Sequence, residues 1–155
     1  MQTISVPYTC SADDHVVTHE WRRAYSAAVR TAYAAGATQA ADGTWVIADE
    51  KVVRQAVKAR FGHIKAMDAW LLHCATRDGL AQRRRVPDGT LAFGGRSNLM
   101  RRQKGLISRD EWRAFRLRPM ASLGDKSYKG NRHFRLSEDG RCCTVSVYGL
   151  SLIHI

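Results

Sequence analysis

The first third of the chain combines a short alternating stretch with a long helical pattern. Apolar and polar positions alternate in residues 1–11, which predicts a strand. From Ala12 to Ala35, apolar residues recur at three- and four-residue steps, which predicts an amphipathic helix that ends at Gly36. The polar residues after Gly36 are interpreted only as the end of this helix.

Two further helices are predicted in the middle of the chain. The first, within residues 47–62, has Asp49 as its N-cap and an apolar stripe formed by Val52, Val53, Ala56 and Val57. The second, within residues 64–85, has apolar residues on one face and contains Gly79, which weakens the helix without ending it.

The remaining pattern predicts short elements. The stretch "TLAFGG" (90–95) is a strand or a bend, and a short helix lies between Ser97 and Gly105. Ser108 and Glu111 match a capping box that begins another helix, which stops before Pro119. The stretches 131–136 and 142–149 predict two strands joined by a turn at Asp139–Gly140.

An isolated first strand leaves its backbone groups unpaired, so it must pair with the later strands. We therefore expect an α+β fold, in which a small antiparallel, barrel-like (OB-like) sheet carries an inserted helical bundle. The corresponding division of the chain is a first strand at 1–11, a helical insertion at 12–86, and a second part at 87–149 that contains the basic helices and the hairpin.

The charge changes this picture more than the composition does. The chain of 155 residues has 25 Lys and Arg against 14 Asp and Glu, a net charge of +11. Residues 81–155 hold 16 of the basic residues and 6 of the acidic ones, and residues 81–118 alone hold 11 and 3. Such an imbalance favours a surface that follows phosphates over an ordinary solvated face. The candidate nucleic-acid-binding residues are Arg83, Arg84, Arg85, Gly94, Gly95, Arg96, Arg101, Arg102, Lys104, Arg113, Arg116, Arg118, Lys129, Gly130, Asn131 and Arg132.

Two glycine-containing corners allow two interpretations each. In "FGGR" (93–96), the glycines either bring the backbone close to a phosphate or form a tight turn between two elements. In "KGNRHF" (129–134), Asn131 and Arg132 either contact RNA beside an aromatic ring or belong to a turn that leads into a strand. Core packing is the better interpretation of Phe134 itself.

The residue types that usually act in catalysis or bind metals form no catalytic pattern in this sequence. The four cysteines lack C-x-x-C spacing, and the carboxylates form no recognisable acid/base pair or two-metal site. No signal peptide or apolar run of transmembrane length is visible. We expect a cytoplasmic protein with no membrane partner, and no cofactor or active site in this chain.

Five short sequence motifs follow one another in the second half of the chain. They are the F-G-G corner, a basic helix, an S-x-x-E-W helix, an R-L-R-P step and a final G…G-N-R-H-F element, at 93–96, 99–104, 108–112, 116–119 and 124–134. This run resembles the N-terminal half of the TnpB and type V CRISPR nucleases, which are RNA-guided enzymes of mobile elements and CRISPR systems. The resemblance is best over residues 68–136.

The resemblance implies a function for each part. Residues 1–11 and 87–149 would form a wedge domain that holds a structured guide RNA, and 12–86 a recognition lobe that contacts target DNA in the RNA–DNA heteroduplex. The family's metal-dependent endonuclease domain, with its divalent metal, would lie beyond this sequence, which would make the fold an incomplete one. Residues 150–155 ("LSLIHI") resemble a translated sequencing adapter, and the alternative is an ordinary apolar terminal strand.

Two other functions remain open at the level of sequence. The predicted helices at 98–104 and 109–117 are short enough to form a helix-turn-helix, which would make the chain a stand-alone basic DNA-binding regulator, such as one from a phage or plasmid. Alternatively, the chain is a structural or ribonucleoprotein-associated protein whose charge keeps it in solution.

Overall fold

Three helices form the core of the protein. The structure, a computed structural model, describes residues 12–64, 67–124, 133–136, 138, 143–145 and 153–154. The core helices pack against one another and are α1 (Ala12–Ala35), α2 (Glu50–Phe61) and α3 (Ala69–Arg85). The predicted first strand lies outside the described residues, and with it the proposed pairing of that strand.

One face of α1 is buried, as its apolar pattern predicts. Trp21, Tyr25, Val29 and Ala32 recur at three- and four-residue steps and lie in the core. α1 also approaches α3 very closely at Gly79, because a Cβ there would lie 2.5 Å from the Cβ of Ala32. Gly79 is therefore retained within α3 for packing, at some cost in helix propensity.

The buried stripe of α2 is narrower than predicted. Val53, Val57 and Phe61 are buried at four-residue steps. Val52 and Ala56 are exposed, so the prediction was wrong for these two residues. They precede the buried positions by one residue, which turns their side chains about 100° away from the core on a helix of 3.6 residues per turn.

The sequence pattern did not predict a two-stranded hairpin that lies between α1 and α2. β1 (Ala37–Gln39) pairs antiparallel with β2 (Trp45–Ile47). The Asp42 carboxylate accepts hydrogen bonds from the backbone N–H and hydroxyl of Thr44, which stabilises the turn, and Gly43 has a φ of 86° there. The Asp-Gly pair is a hairpin signal, but the strands beside it are only three residues long.

Two short helices follow the core and form a small unit of their own. α4 (Arg96–Gln103) and α5 (Arg109–Phe115) contact each other, and neither contains a buried residue. Ile107, in the loop between them, is buried. The stretch 90–95 before α4 is a bend rather than a strand.

Side-chain caps fix where three helices begin. The carboxylates of Asp49 and Asp68 each accept a backbone N–H bond from the first turn of α2 and α3, at 2.7 and 2.8 Å. Because Asp68 caps α3, this helix begins at Ala69, later than the prediction. The predicted capping box of α5 is confirmed: Ser108 and Glu111 each accept a hydrogen bond from the other's backbone N–H.

After α5 the chain returns across the core in residues 117–124, the return segment. The backbone N–H of Arg118 donates to Ser26 Oγ of α1 at 2.9 Å, and Leu123 O accepts from the indole N–H of Trp70 of α3 at 3.0 Å. Because these bonds join residues at least 53 positions apart, the return segment fixes the α4–α5 unit against the core.

The last described elements form a second antiparallel sheet. β3 (Phe134–Leu136), β4 (Cys143–Val145) and β5 (Ile153–His154) lie in the order β3-β4-β5, with Phe134 opposite Val145 and Thr144 opposite His154. The predicted hairpin of two strands is confirmed, and its turn lies outside the described residues. The fold is thus α+β, as predicted, with its helices forming the main core.

Candidate nucleic-acid interface

Four arginines line a cleft between α1 and the end of α5. Arg23 and Arg30 lie two turns apart on the same face of α1, and Arg113 and Arg116 belong to α5 and its C-cap. Ala27 and Leu117 complete the lining of a cavity of about 240 Å³. Among these six described residues there is no carboxylate, so the cleft carries only positive formal charge.

Packing holds the two inner arginines close together. Nη1 of Arg30 donates to the backbone carbonyl of Arg116 at 3.4 Å, and both side chains are partly buried. Burial, with the positive charge of Arg116, lowers the pKa of Arg30 to about 10. Arg30 therefore remains protonated at neutral pH, with its positive charge weakly compensated.

Arg116 is oriented by an aromatic ring. Its guanidinium lies over the ring of Trp112, 5.6 Å from the centroid. The Nε atom of Arg116 is buried and has no hydrogen-bond partner among the described residues. Since an unpaired buried donor is unfavourable, an acceptor that entered the cleft would be favoured there.

A second cavity of about 150 Å³ extends the cleft along α1. The two cavities share Arg23, Arg113 and Leu117, and the extension reaches His19. Asp110 lines this end and forms an exposed ion pair with Arg113 at 3.0 Å. The groove therefore runs from an all-positive inner end to an outer end of mixed charge.

The basic residues of α4 lie mostly in solvent. Arg96, Arg101 and Lys104 are exposed, as are Arg84 and Arg85 at the end of α3. Arg102 is partly buried, and its Nη1 donates to the carbonyl of Ile107 at 3.1 Å, which fixes the loop before α5.

Two predicted site residues make contacts with other groups of the protein. Arg83 is only 5% exposed, and its guanidinium lies between the rings of Tyr33 and Trp45, 5.0 and 4.9 Å from their centroids. Arg118 forms a partly buried ion pair with Asp78 at 3.1 Å. Both guanidinium groups therefore contact other groups of the protein, and their binding of nucleic acid stays a prediction.

The two glycines before α4 have different surroundings. Gly94 has a φ of 93°, and a Cβ there would lie 3.1 Å from both the Trp112 ring and Arg116 Cγ. Its interpretation as a tight turn is favoured, because it lets α5 pack against the corner. Gly95 has a φ of 89° and open space around it, and it precedes α4 without a side-chain cap.

Four predicted site residues are not described by the structure, and two arginines of the cleft were not predicted. Lys129, Gly130, Asn131 and Arg132 lie outside the described residues. Sequence reasoning missed Arg23 and Arg30, although their seven-residue spacing puts them on one face of α1. What the spacing does not reveal is that this face lies opposite Arg113 and Arg116.

A partly buried polar cluster around the buried His133 lies away from the cleft. His133 Nε2 is 2.8 Å from a carboxylate oxygen of Asp68, and His133 Nδ1 is 2.9 Å from Ser122 Oγ. The ring of His133 also contacts Trp21 edge-on. Because Asp68 is the N-cap of α3, this cluster connects the start of the second sheet to the core.

In the part of the chain that the structure describes, no three His, Cys, Asp or Glu side chains form a group that could hold a metal ion. No described helix is both long and apolar enough to cross a membrane.

Comparison with known proteins finds no match: no family model, curated protein or solved structure is significantly similar to this chain.

Proposed function

We propose that the protein binds the phosphate backbone of structured RNA. The observation that supports this most directly is the cleft in which Arg23, Arg30, Arg113 and Arg116 meet without a carboxylate among its lining residues. Guanidinium groups bind phosphate oxygens through paired hydrogen bonds, which makes arginine well suited to such a site. The exposed Arg96 and Arg101 of α4, with Lys104 at its C-cap, extend the same positive charge to a second surface.

The proposal extends to the wider protein through the resemblance to TnpB-like and type V CRISPR nucleases. On this basis, the chain is the wedge and recognition portion of an RNA-guided nuclease of a mobile element. Its partners are then a guide RNA and the heteroduplex with target DNA, in the cytoplasm of a prokaryotic or phage-infected cell. In such complexes base pairing reads the sequence, and the protein contacts mainly the backbone.

Charge-removal variants on two surfaces test the proposal. We expect Arg96→Ala/Arg101→Ala/Lys104→Ala on α4 to weaken the binding of a structured RNA about tenfold or more, because three phosphate contacts are lost. The matched control is Lys51→Ala/Arg54→Ala/Lys58→Ala on α2, which removes the same charge from three exposed residues on a separate cavity. Filter binding at one fixed salt concentration measures both.

An equal loss in the two triple variants would show that net charge alone explains RNA binding, and would contradict a defined interface. Unchanged RNA affinity in the α4 variant would show that α4 is not part of that interface.

A helix-turn-helix regulator is the second candidate, because α4 and α5 are short helices separated by only five residues. Gly105 has a φ of 72° in this connection, as expected of a tight turn. However, Trp112 and Arg116 on α5 pack towards the Gly94 corner, which limits the face that could enter a major groove. Tighter binding to duplex DNA than to the RNA in the same assay would favour the regulator.

A further inference from the structure

The arginine cleft differs from the open basic surface of α4. Arg30 and Arg116 are partly buried at its inner end, and Arg23 and Arg113 are exposed. Ala27 and Leu117 supply apolar contact within the lining. A phosphodiester backbone can run along an exposed surface such as that of α4, whereas a cleft with partly buried guanidinium groups at its inner end can also take the end of a strand.

The charges within the cleft are largely uncompensated. The exposed Asp110 pairs with Arg113, and no described carboxylate forms an ion pair with Arg23, Arg30 or Arg116. An internal phosphodiester brings one negative charge, whereas a phosphomonoester carries about −1.5 to −2 at neutral pH and has three free oxygens. A phosphomonoester therefore matches three uncompensated guanidinium groups better.

The dimensions agree with this ligand. The cavity of about 240 Å³ is several times the volume of ~30 Å³ that one water occupies in the liquid, so its volume is large enough to admit a group of the size of a phosphate. The adjoining cavity of about 150 Å³, which reaches His19, provides space for the attached nucleotide.

From these observations we infer that the cleft binds the terminal phosphate of an RNA strand, with Arg30 and Arg116 at the inner end and Arg23 and Arg113 at the mouth. This inference rests on the proposed function, since it names the part of the RNA that the cleft takes. It also explains why two like charges are held together by packing, because a bound dianion would offset both the burial and the repulsion from Arg116 that lower the pKa of Arg30.

A set of three matched RNAs tests the inference on the full chain. One RNA sequence is prepared with a 5′-phosphate, with a 3′-phosphate and with hydroxyl groups at both ends. We expect one of the phosphorylated forms to bind about tenfold more tightly than the hydroxyl form, because charge-assisted hydrogen bonds are gained at the terminus. Inorganic phosphate should reduce this difference, and chloride at equal ionic strength should not.

Variants on α1 assign the effect to the cleft. Arg23→Ala, at an exposed position, should remove most of the preference for the phosphorylated RNA. Arg22→Ala, the exposed neighbour that does not line the cleft, should retain it. Arg30→Gln gives a second variant at the inner end, and thermal unfolding of each variant confirms that it is folded before affinity is compared.

The possible results separate this inference from the proposed function. Equal affinity for all three RNAs, with binding still dependent on salt, would overturn the terminal-phosphate site and leave backbone binding intact. Failure to bind any of the RNAs would overturn the proposed function. Binding of a phosphoserine peptide as tightly as the phosphorylated RNA would overturn RNA as the source of the phosphate.

Discussion

Three consecutive arginines at the end of α3 have different surroundings. Arg84 and Arg85 are exposed, whereas Arg83 lies between two aromatic rings. The helical phase separates them, because Arg83 continues the buried positions Thr76 and Gly79 at three- and four-residue steps. The helical phase can be read from the sequence. The sequence does not indicate which rings contact Arg83, because they belong to α1 and β2.

Replacement of Arg83 tests its structural role. We expect Arg83→Ala to lower the free energy of unfolding by about 2 kcal/mol, since two cation–π contacts and a buried stem are lost. The matched control Arg84→Ala should change it by no more than about 0.5 kcal/mol. Urea denaturation measures both, and equal stability of the two variants would contradict the buried role of Arg83.

Among the elements, those determined by local signals were predicted well. The N-caps Asp49 and Ser108 act within one helical turn, and their helices begin where the sequence indicates. Elements with weak local signals were not predicted. The β1–β2 hairpin was missed because its strands are only three residues long. The contacts of Asp68 with His133, 65 residues away, depend on how the chain packs and have no local signature.

The N-terminus of α3 gives a prediction about pH. Burial raises the pKa of Asp68, but hydrogen bonds with His133 and the N–H of Leu71 favour the ionised carboxylate, and together they lower this pKa below its usual value. A carboxyl with a lowered pKa in the folded state stabilises the fold above its unfolded pKa of about 4. That stabilisation is lost as the pH falls through the folded pKa.

The measurement compares the wild type with Asp68→Asn, in which asparagine can still cap α3. From pH 6 down to about pH 3, we expect the wild type to lose more unfolding free energy than the variant, because only the wild type takes up this proton. Parallel pH profiles for the two proteins in urea denaturation would show that the ionisation of Asp68 does not stabilise the fold.

Across the whole molecule, the basic residues divide into groups with different surroundings. Arg83 and Arg118 stabilise the fold, α4 presents exposed charge, and the α1–α5 cleft concentrates four arginines. The sequence predicted a basic second half and an α+β fold. It did not predict the cleft, because Arg30 and Arg116 are 86 residues apart and meet only through tertiary packing.

The dependence of RNA affinity on salt tests the central proposal most directly. For a structured RNA and the full chain, filter binding from about 50 to 200 mM salt should give a log–log slope of roughly −5, because the cleft and α4 together displace several counterions. A slope near zero would mean that RNA binding involves no phosphate neutralisation, and would contradict the proposed function.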